Sequence, residues 1–516
     1  MAVLKPRIRQ PNHGSDWLMK KIDNLRIKIN GSIDPLTRRT YAQFMTPRKV
    51  AILMASLFKF SGTSITLLDP GAGIGCLSAA FVSEILKKNH KPSKITIDAF
   101  EIDPYLSKYL KITFASCRKV CREQGIDFTG NILTDDFIKA SVNNYHAVLL
   151  KKKFRTYNCI ITNPPYHKIN TDSEARRLLR EVGIETTNMY TAFIALAVNQ
   201  LSPEGELVSI SPRSFCNGPY FLPFRKYFFN HVFLNDIHLF ESRKEAFSED
   251  DVLQENVIIH ATKNLRQPKY VNISMSKKPT DPLITKKVKY NEVIKPQDSA
   301  LIIHIAIDEN SSDIAAKMNF LSASLSDLGI DVSTGRVVDF RAKEFLKDNP
   351  DHTTVPLIYP LHFCEGQIKW PITNSKKPNA IVSNQNSREL LVPAGNYVLV
   401  KRFSAKEEKR RIVAAIYNAS DIFKGEVGFE NHLNYFHLNG KGLSLSAAKG
   451  LSLYLNSSMV DIYFRQFSGH TQVNASDLKR LKYPSMEMLI ELGKFIKDGL
   501  PEQAVIDKIL EQVVFN

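Results

Sequence analysis

The sequence predicts an α/β protein: a Rossmann-like, doubly wound mixed sheet followed by a second domain of α+β character. Three observations carry this expectation. Strand-sized apolar runs such as Ile65–Leu68, Ile95–Phe100 and Cys159–Thr162 each end in a cluster of Gly, Pro, Asp, Glu or Asn. Helix-length segments with apolar residues on one face separate them, as in βαβ units. From about residue 320 the pattern changes to short strands broken by Gly, Asn and Pro turns.

Taken in order, residues 1–40 read as a basic N-terminal arm with one helix around Trp17–Ile27. Thr46 is placed to cap the next helix, with Pro47 at its first position, where a missing N–H costs nothing. Ile65–Leu68 is a strand running into the Gly-rich turn Asp69–Gly75, and Leu77, Phe81 and Ile85 mark the following helix. The next strand ends in Glu101, a helix spans Tyr105–Cys121, and Asn131–Ile138 carries the third strand. Further strands are read over 159–166 and 203–213, with a helix over Asn188–Leu201 between them, and Val252–Ala261 is expected to close the sheet. These limits give a ligand-binding domain over 41–265. Pro268, Pro279, Pro282 and Pro296 weaken the pattern, so 266–320 reads as a junction and 321–516 as the second domain.

The formal net charge of +17 and pI near 9.4 favour a polyanionic partner. The first 60 residues hold 12 Lys/Arg against 3 Asp/Glu. No apolar run approaches the roughly 18 residues needed to cross a bilayer, and no secretory signal is visible, so a cytoplasmic location without membrane contact is expected. Six cysteines lie scattered at 76, 117, 121, 159, 216 and 364. Cys117 and Cys121 lack the second pair that a tetrahedral zinc site requires, and no metal is expected.

The candidate chemistry is concentrated at Asn163-Pro164-Pro165-Tyr166. Two prolines cannot continue a ladder, so the strand must stop there. Asn163 then sits on a stiff turn at the carboxyl end of a strand, where open α/β sheets bind ligands. A planar amino group could donate its two protons to Asn163 Oδ1 and the Pro164 carbonyl while Tyr166 covers its ring. His167 reads as a surface residue. Upstream, Gly71, Gly73 and Gly75 permit a tight turn and close ligand approach, but no Gly-Lys-Ser/Thr follows to cradle a phosphate. Asp69, Glu101 and Asp136 end successive strands. Acids at three strand ends without a phosphate loop suit a nucleoside lacking phosphates, and S-adenosylmethionine is such a ligand.

Ala42-Gln-Phe-Met-Thr-Pro47, Leu68–Gly75, Asp136-Phe137 and Asn163–Tyr166 occur in the order found in the γ-class amino-methyltransferases. The chain resembles this adenine-specific DNA family, of which TaqI methyltransferase is the familiar type. The resemblance extends through Asn188–Tyr190, Pro212–Phe215 and Val252–Asn256. Val332–Arg336 and Gly469–Asn474 are similar to target-recognition segments of the BsuBI/PstI-type subgroup. The resemblance implies a class I methyltransferase fold with a C-terminal target-recognition domain. It puts Phe44, Thr46 and Pro47 at the methionine end of the cofactor, Gly71 to Gly75 along its backbone side, and Glu101 on its ribose. Ile102 and Phe137 would flank the adenine, with Asp136 on its amino group. The second ring to stack on a target base falls to His260, with Phe215 as the alternative.

The resemblance further implies N6 methylation of adenine in duplex DNA, with CTGCAG as the site. An amino group paired inside a duplex is out of reach, so the base is expected to be flipped out. No Pro-Asp…Glu-x-Lys nuclease constellation is read in the sequence, and a monomer with a separately encoded endonuclease is expected. Arg336, Arg341, Arg465, His470, Gln472 and Asn474 are the candidate DNA contacts. The alternatives are an RNA adenine or protein glutamine methyltransferase using the same turn, and a non-catalytic DNA-binding subunit.

Overall fold

The computed structural model describes residues 13–32, 44–149, 155–240, 255–278, 281–306, 309–404, 408–468, 471–497 and 499–515. They fall into two compact units, Met1–Ile307 and Asp308–Asn516.

The first unit is organised by one sheet of nine strands: β1 Ser64–Pro70, β2 Lys94–Phe100, β3 Asp127–Leu133, β4 Tyr157–Thr162, β5 Leu201–Pro212, β6 Phe233–Phe240, β7 Asn256–Thr262, β8 Tyr270–Ser276 and β9 Ile284–Lys289. Their order is β3-β2-β1-β4-β5-β7-β6-β8-β9. The first five positions are mutually parallel, and β7 runs antiparallel between β5 and β6. The chain winds outward from β1 to β3, then returns to β4 on the other side of β1. The carboxyl ends of β1 and β4 therefore flank a topological switch point, where a crevice opens.

Alternation along each strand divides the core between two faces. Leu67, Cys159, Ile161, Val208 and Ile258 pack with helices α1 (His13–Asn30), α2 (Arg48–Ser56), α3 (Cys76–Lys87) and α4 (Pro104–Arg122). Leu68, Ile160, Leu207, Val257 and Ile259 pack with α5 (Phe137–Leu149), α6 (Glu174–Glu181), α7 (Met189–Asn199) and α8 (Leu222–His231).

Several expected boundaries move. Leu18, Met19, Ile22 and Ile29 of α1 are buried in the sheet's core, so the described part of the basic arm is an integral helix. Helix α2 starts at Arg48 with Pro47 as its cap, and the Thr46 hydroxyl goes elsewhere. The sheet does not close at Ala261, because β8 and β9 extend it, with Val271 and Ile273 turned into the core. The prolines that suggested a junction include Pro268 and Pro282, which lie in the connections just before these strands, where a missing N–H breaks no ladder.

The second unit holds two small sheets. One orders Asp331–Thr334, Leu433–His437, Tyr397–Lys401, Ala414–Tyr417, Gln367–Ile368 and Phe363–Cys364. The other orders Leu346–Lys347, Ala380–Val382, Thr354–Ile358, Val427–Phe429 and Leu391–Val392. Helices Leu445–Leu455 and Met486–Gly493 cross so closely that a Cβ on Gly450 would fall 1.7 Å from Leu489 O, which explains glycine there.

Candidate functional site

A cavity of about 490 Å³ opens at the switch point. Its walls are Phe44–Thr46 ahead of α2, Gly71–Gly73 after β1, Glu101 and Ile102 after β2, Asp135–Phe137 after β3, Asn163, Pro165 and His167 after β4, and Met189 and Phe193 on α7.

The Gly-rich turn is held from below. Gly71 N and Ala72 N both donate to Phe100 O, at 3.0 and 2.9 Å. Gly71, Gly73 and Gly75 have φ of +78°, +57° and +88°, a region that disfavours side chains. A Cβ on Gly75 would meet Leu110 at 2.7 Å, so this glycine lets α3 pack against α4 and does not line the cavity. Asp69 likewise lies under the turn, fully buried, accepting the Ser78 hydroxyl at 2.6 Å. Burial pushes its carboxyl up to about 7.

Glu101 accepts Gly73 N at 2.7 Å on Oε2 and Asp103 N at 2.8 Å on Oε1. Burial raises its carboxyl while those two N–H groups draw it back. Each oxygen retains a lone pair for a hydroxyl donor. Asp136 caps α5 by accepting Lys139 N at 3.0 Å, and one carboxylate oxygen remains for a ligand. Phe137 is buried against Phe100 and Phe193, with ring centroids at 5.1 and 4.9 Å. Ile102, 64% exposed, offers an apolar face on the opposite wall. An apolar slot with carboxylates at its ends suits a nucleoside.

Asn163 forms the centre of the other wall. Its Nδ2 donates to Phe44 O at 2.8 Å and to Thr46 Oγ1 at 3.1 Å. Its Oδ1 accepts the Tyr166 hydroxyl at 3.0 Å, which also lies 3.4 Å from Ile210 O. Burial holds the Tyr166 phenol protonated, as a donor. The Tyr166 ring packs edge-on against Tyr190 at 6.2 Å, and Tyr190 shares a hydrogen bond with Ser214 at 2.9 Å. Pro164 is buried and Pro165 reaches the cavity. His167 is exposed, as its surface reading expects, and also reaches the cavity; partial burial of its ring lowers the imidazole's proton affinity.

His260 cannot stack beside Tyr166. It belongs to β7, opposite Val208, and points to the α1–α4 side of the sheet, whereas Tyr166 packs on the α5–α8 side. Its ring is fully buried, with Nδ1 2.6 Å from Asp236 Oδ2 and Nε2 3.0 Å from Glu206 Oε2. Phe215 is on the right side of the sheet but buried in the core, edge-on to Phe224 at 5.7 Å.

The candidate DNA contacts divide similarly. Arg336 Nη1 donates to Glu389 O and Leu391 O, at 3.3 and 2.9 Å. Arg465 pairs with Asp461 at 2.7 Å and donates to Glu408 O. Asn474 caps a helix by bonding Asp477. These three side chains have structural work. Arg341 is exposed beside Phe340, Gln472 is partly exposed, and His470 lies outside the described residues. Arg402, Phe403 and His432 are not among the candidate contacts, although the first two lie in a basic cluster. Arg402 N donates to His432 O and Phe403 bridges Gln472, so these residues converge at one end of the larger sheet of the second unit, where Arg402 Nη1 also donates to Asn431 O at 3.1 Å and His432 Nδ1 pairs with Glu430. Phe403 is 45% exposed, its ring 4.8 Å from His432. An aromatic residue within the Lys/Arg-rich stretch Lys401–Arg411 was the available signal.

Sequence reading also missed Met45, Cys76, Leu77, Leu106, Asp135, Met189 and Phe193 in the cavity wall. Met189 sits inside the motif Asn188–Tyr190, and Phe193 is four residues on, on the same helix face. Among the described residues, no group of His, Cys, Asp or Glu could hold a metal ion, and no helix is long and apolar enough to cross a membrane.

Residues 78–247 match the Eco57I restriction-modification methylase family. The chain is 45% identical over 493 residues to the type II methyltransferase M.PstI of Providencia stuartii, covering 95% of this chain and 96% of the relative. It is 42% identical over 506 residues to the type II methyltransferase M.BsuBI of Bacillus subtilis, covering 97% and 98%. The solved type IIL restriction-modification enzyme MmeI in complex with DNA aligns over 90% of this chain and 71% of its own, with a TM-score of 0.54 and 12% identity, a likeness of fold alone.

Proposed function

Since the chain belongs to the type II restriction-modification methyltransferases of the BsuBI/PstI type, we propose that it transfers a methyl group from S-adenosylmethionine to the exocyclic N6 of an adenine flipped out of duplex DNA. The observation that carries this reading is the Asn163 carboxamide, held from two sides beside a cavity that ends in Glu101 and Asp136.

The cavity fits the cofactor by its donor set. Glu101 would accept the ribose hydroxyls, Asp136 the adenine amino group, and Ile102 and Phe137 would hold the ring between them. Phe44, Thr46 and Pro47 would bound the methionine end, with Gly71 and Gly73 along the backbone. Asp69 and Gly75 would act beneath, shaping the turn. The bound sulfonium supplies the methyl group.

Asn163 Oδ1 and Pro164 O would accept the two amino protons of the base. A carboxamide oxygen has two lone pairs, so the Tyr166 hydroxyl and a base N–H can share Oδ1. Accepting both protons favours a tetrahedral nitrogen whose lone pair faces the methyl group, and catalysis is then positioning with preorganised dipoles. Pro164 and Pro165 keep the turn stiff, and Tyr166 stacks on the base, contributing about 1–3 kcal/mol against the cost of flipping. The proton released after transfer passes to water.

The first unit would thus carry the chemistry and the second the recognition of sequence. Arg341, Gln472 and Phe403 would contact DNA, adding a salt-dependent phosphate component. We assign CTGCAG as the site by likeness to the BsuBI/PstI type, and a monomer paired with a separately encoded endonuclease as the working form. Incubation with methyl-labelled S-adenosylmethionine and equal masses of unmodified duplex DNA, RNA and protein tests this. Label in DNA is expected, and label confined to RNA or protein would overturn the acceptor assignment.

A further inference from the structure

We infer that Thr46 is a positioning residue that orients the Asn163 carboxamide and ties that orientation to occupancy of the cofactor cavity. The inference rests on the reading of Asn163 as the acceptor clamp. A carboxamide can sit either way round, and only one way presents an acceptor to an incoming amino group. Phe44 O can only accept, so its 2.8 Å contact must be with Nδ2. The second proton of Nδ2 goes to Thr46 Oγ1 at 3.1 Å. Oδ1 is left facing away from residues 44–46, toward the Tyr166 hydroxyl.

Thr46 stands where a threonine ordinarily caps a helix, but Pro47 occupies the cap of α2 and Ala51 N bonds to Pro47 O. Its hydroxyl is therefore free to serve Asn163. Having accepted from Nδ2, Oγ1 still carries a hydrogen, no described residue accepts it at hydrogen-bond distance, and Thr46 lines the cavity while 3% exposed. Such a donor suits the amino-acid carboxylate of the cofactor. A hydroxyl that donates becomes a better acceptor, so a filled cavity tightens the hold on Asn163.

The test compares the full-length chain with Thr46→Val and Thr46→Ser. The readouts are binding of S-adenosylhomocysteine by calorimetry and the single-turnover methylation rate of unmethylated genomic duplex DNA at saturating S-adenosylmethionine. Thr46→Val is expected to slow transfer about 100-fold while weakening S-adenosylhomocysteine binding by no more than about tenfold. Thr46→Ser is expected to restore most of the rate. Thr46→Ala repeats the comparison without either of valine's γ-methyl groups, should the valine variant melt early. A Thr46→Val rate equal to wild type once cofactor saturates would overturn the inference, leaving a plain cofactor contact. Thr46→Ser as slow as Thr46→Val would also overturn it, making the methyl group the active part. A wild-type chain that binds S-adenosylhomocysteine but methylates no duplex DNA would instead overturn the acceptor assignment, and this inference with it.

Discussion

Two polar clusters lie on the same sheet of the first unit and use similar side chains to opposite ends. At the end of β4, Asn163 is tied to Phe44, Thr46 and Tyr166 and opens on a cavity. On β7, His260 is tied to Asp236 and Glu206 and is closed off completely, with Lys59 N also on Glu206 and Asn272 Nδ2 on Asp236 Oδ1. The first cluster keeps lone pairs for a visitor. The second spends every bond inside, joining β5, β6, β7 and β8 to the segment after α2. A polar residue on a sheet is thus available to a ligand when its side of the sheet has been left open, and bound into the fold when it has not.

The contrast gives its largest expected effect at Asn163. Asn163→Ala should lower single-turnover transfer by about 100- to 1000-fold or more, with S-adenosylhomocysteine binding measured by calorimetry nearly unchanged. Loss of cofactor binding instead would break the separation between acceptor clamp and cofactor slot.

His260→Ala should do the reverse. Removing one member of a buried charged set costs about 3–5 kcal/mol, read by denaturant unfolding, while transfer per folded molecule stays near wild type. Both ring nitrogens face carboxylates, which only the doubly protonated imidazolium satisfies. Burial disfavours that cation, but the hydrogen bonds to Asp236 and Glu206 outweigh burial and raise its pKa. A raised folded value means the stabilisation is complete below about pH 6.5, the unfolded value, and is lost as pH rises through the folded value. The stability gap between wild type and His260→Ala should therefore narrow in alkaline buffer.

A smaller effect is expected at Glu101. Glu101→Gln keeps the size but replaces one acceptor oxygen with a donor that opposes Gly73 N or Asp103 N. S-adenosylhomocysteine affinity should fall about tenfold, with little change in transfer at saturating cofactor. The smallest change belongs to the second unit: Arg341→Ala should weaken duplex binding and reduce the salt slope by about 1.

The strand–helix alternation and many of the residues around the cavity were legible because each strand's apolar run ends in chemistry the sheet cannot use internally. Glu101, Asp136, Phe137 and Asn163 all meet there. What escaped was set by partners far apart in sequence. His260 differs from a site residue only through Glu206 and Asp236, 54 and 24 positions away. Strand parity, which sends its side chain away from Tyr166, depends on a register that no local pattern reveals. Arg336 and Arg465 read as free cations because the carbonyls they bond come from loops 53 to 57 residues distant. β8 was lost because prolines in its flanking connections outweighed the alternation within it.

The central claim is that the Asn163–Tyr166 turn clamps the amino group of adenine in DNA. The most direct measurement is modification-sensitive sequencing of DNA from cells expressing the wild-type chain beside cells expressing Asn163→Ala. N6-methyladenine is expected at one recurring short sequence, CTGCAG, in the first and is expected to be absent from it in the second. Modified cytosine, or N6-methyladenine persisting in the Asn163→Ala strain, would contradict it.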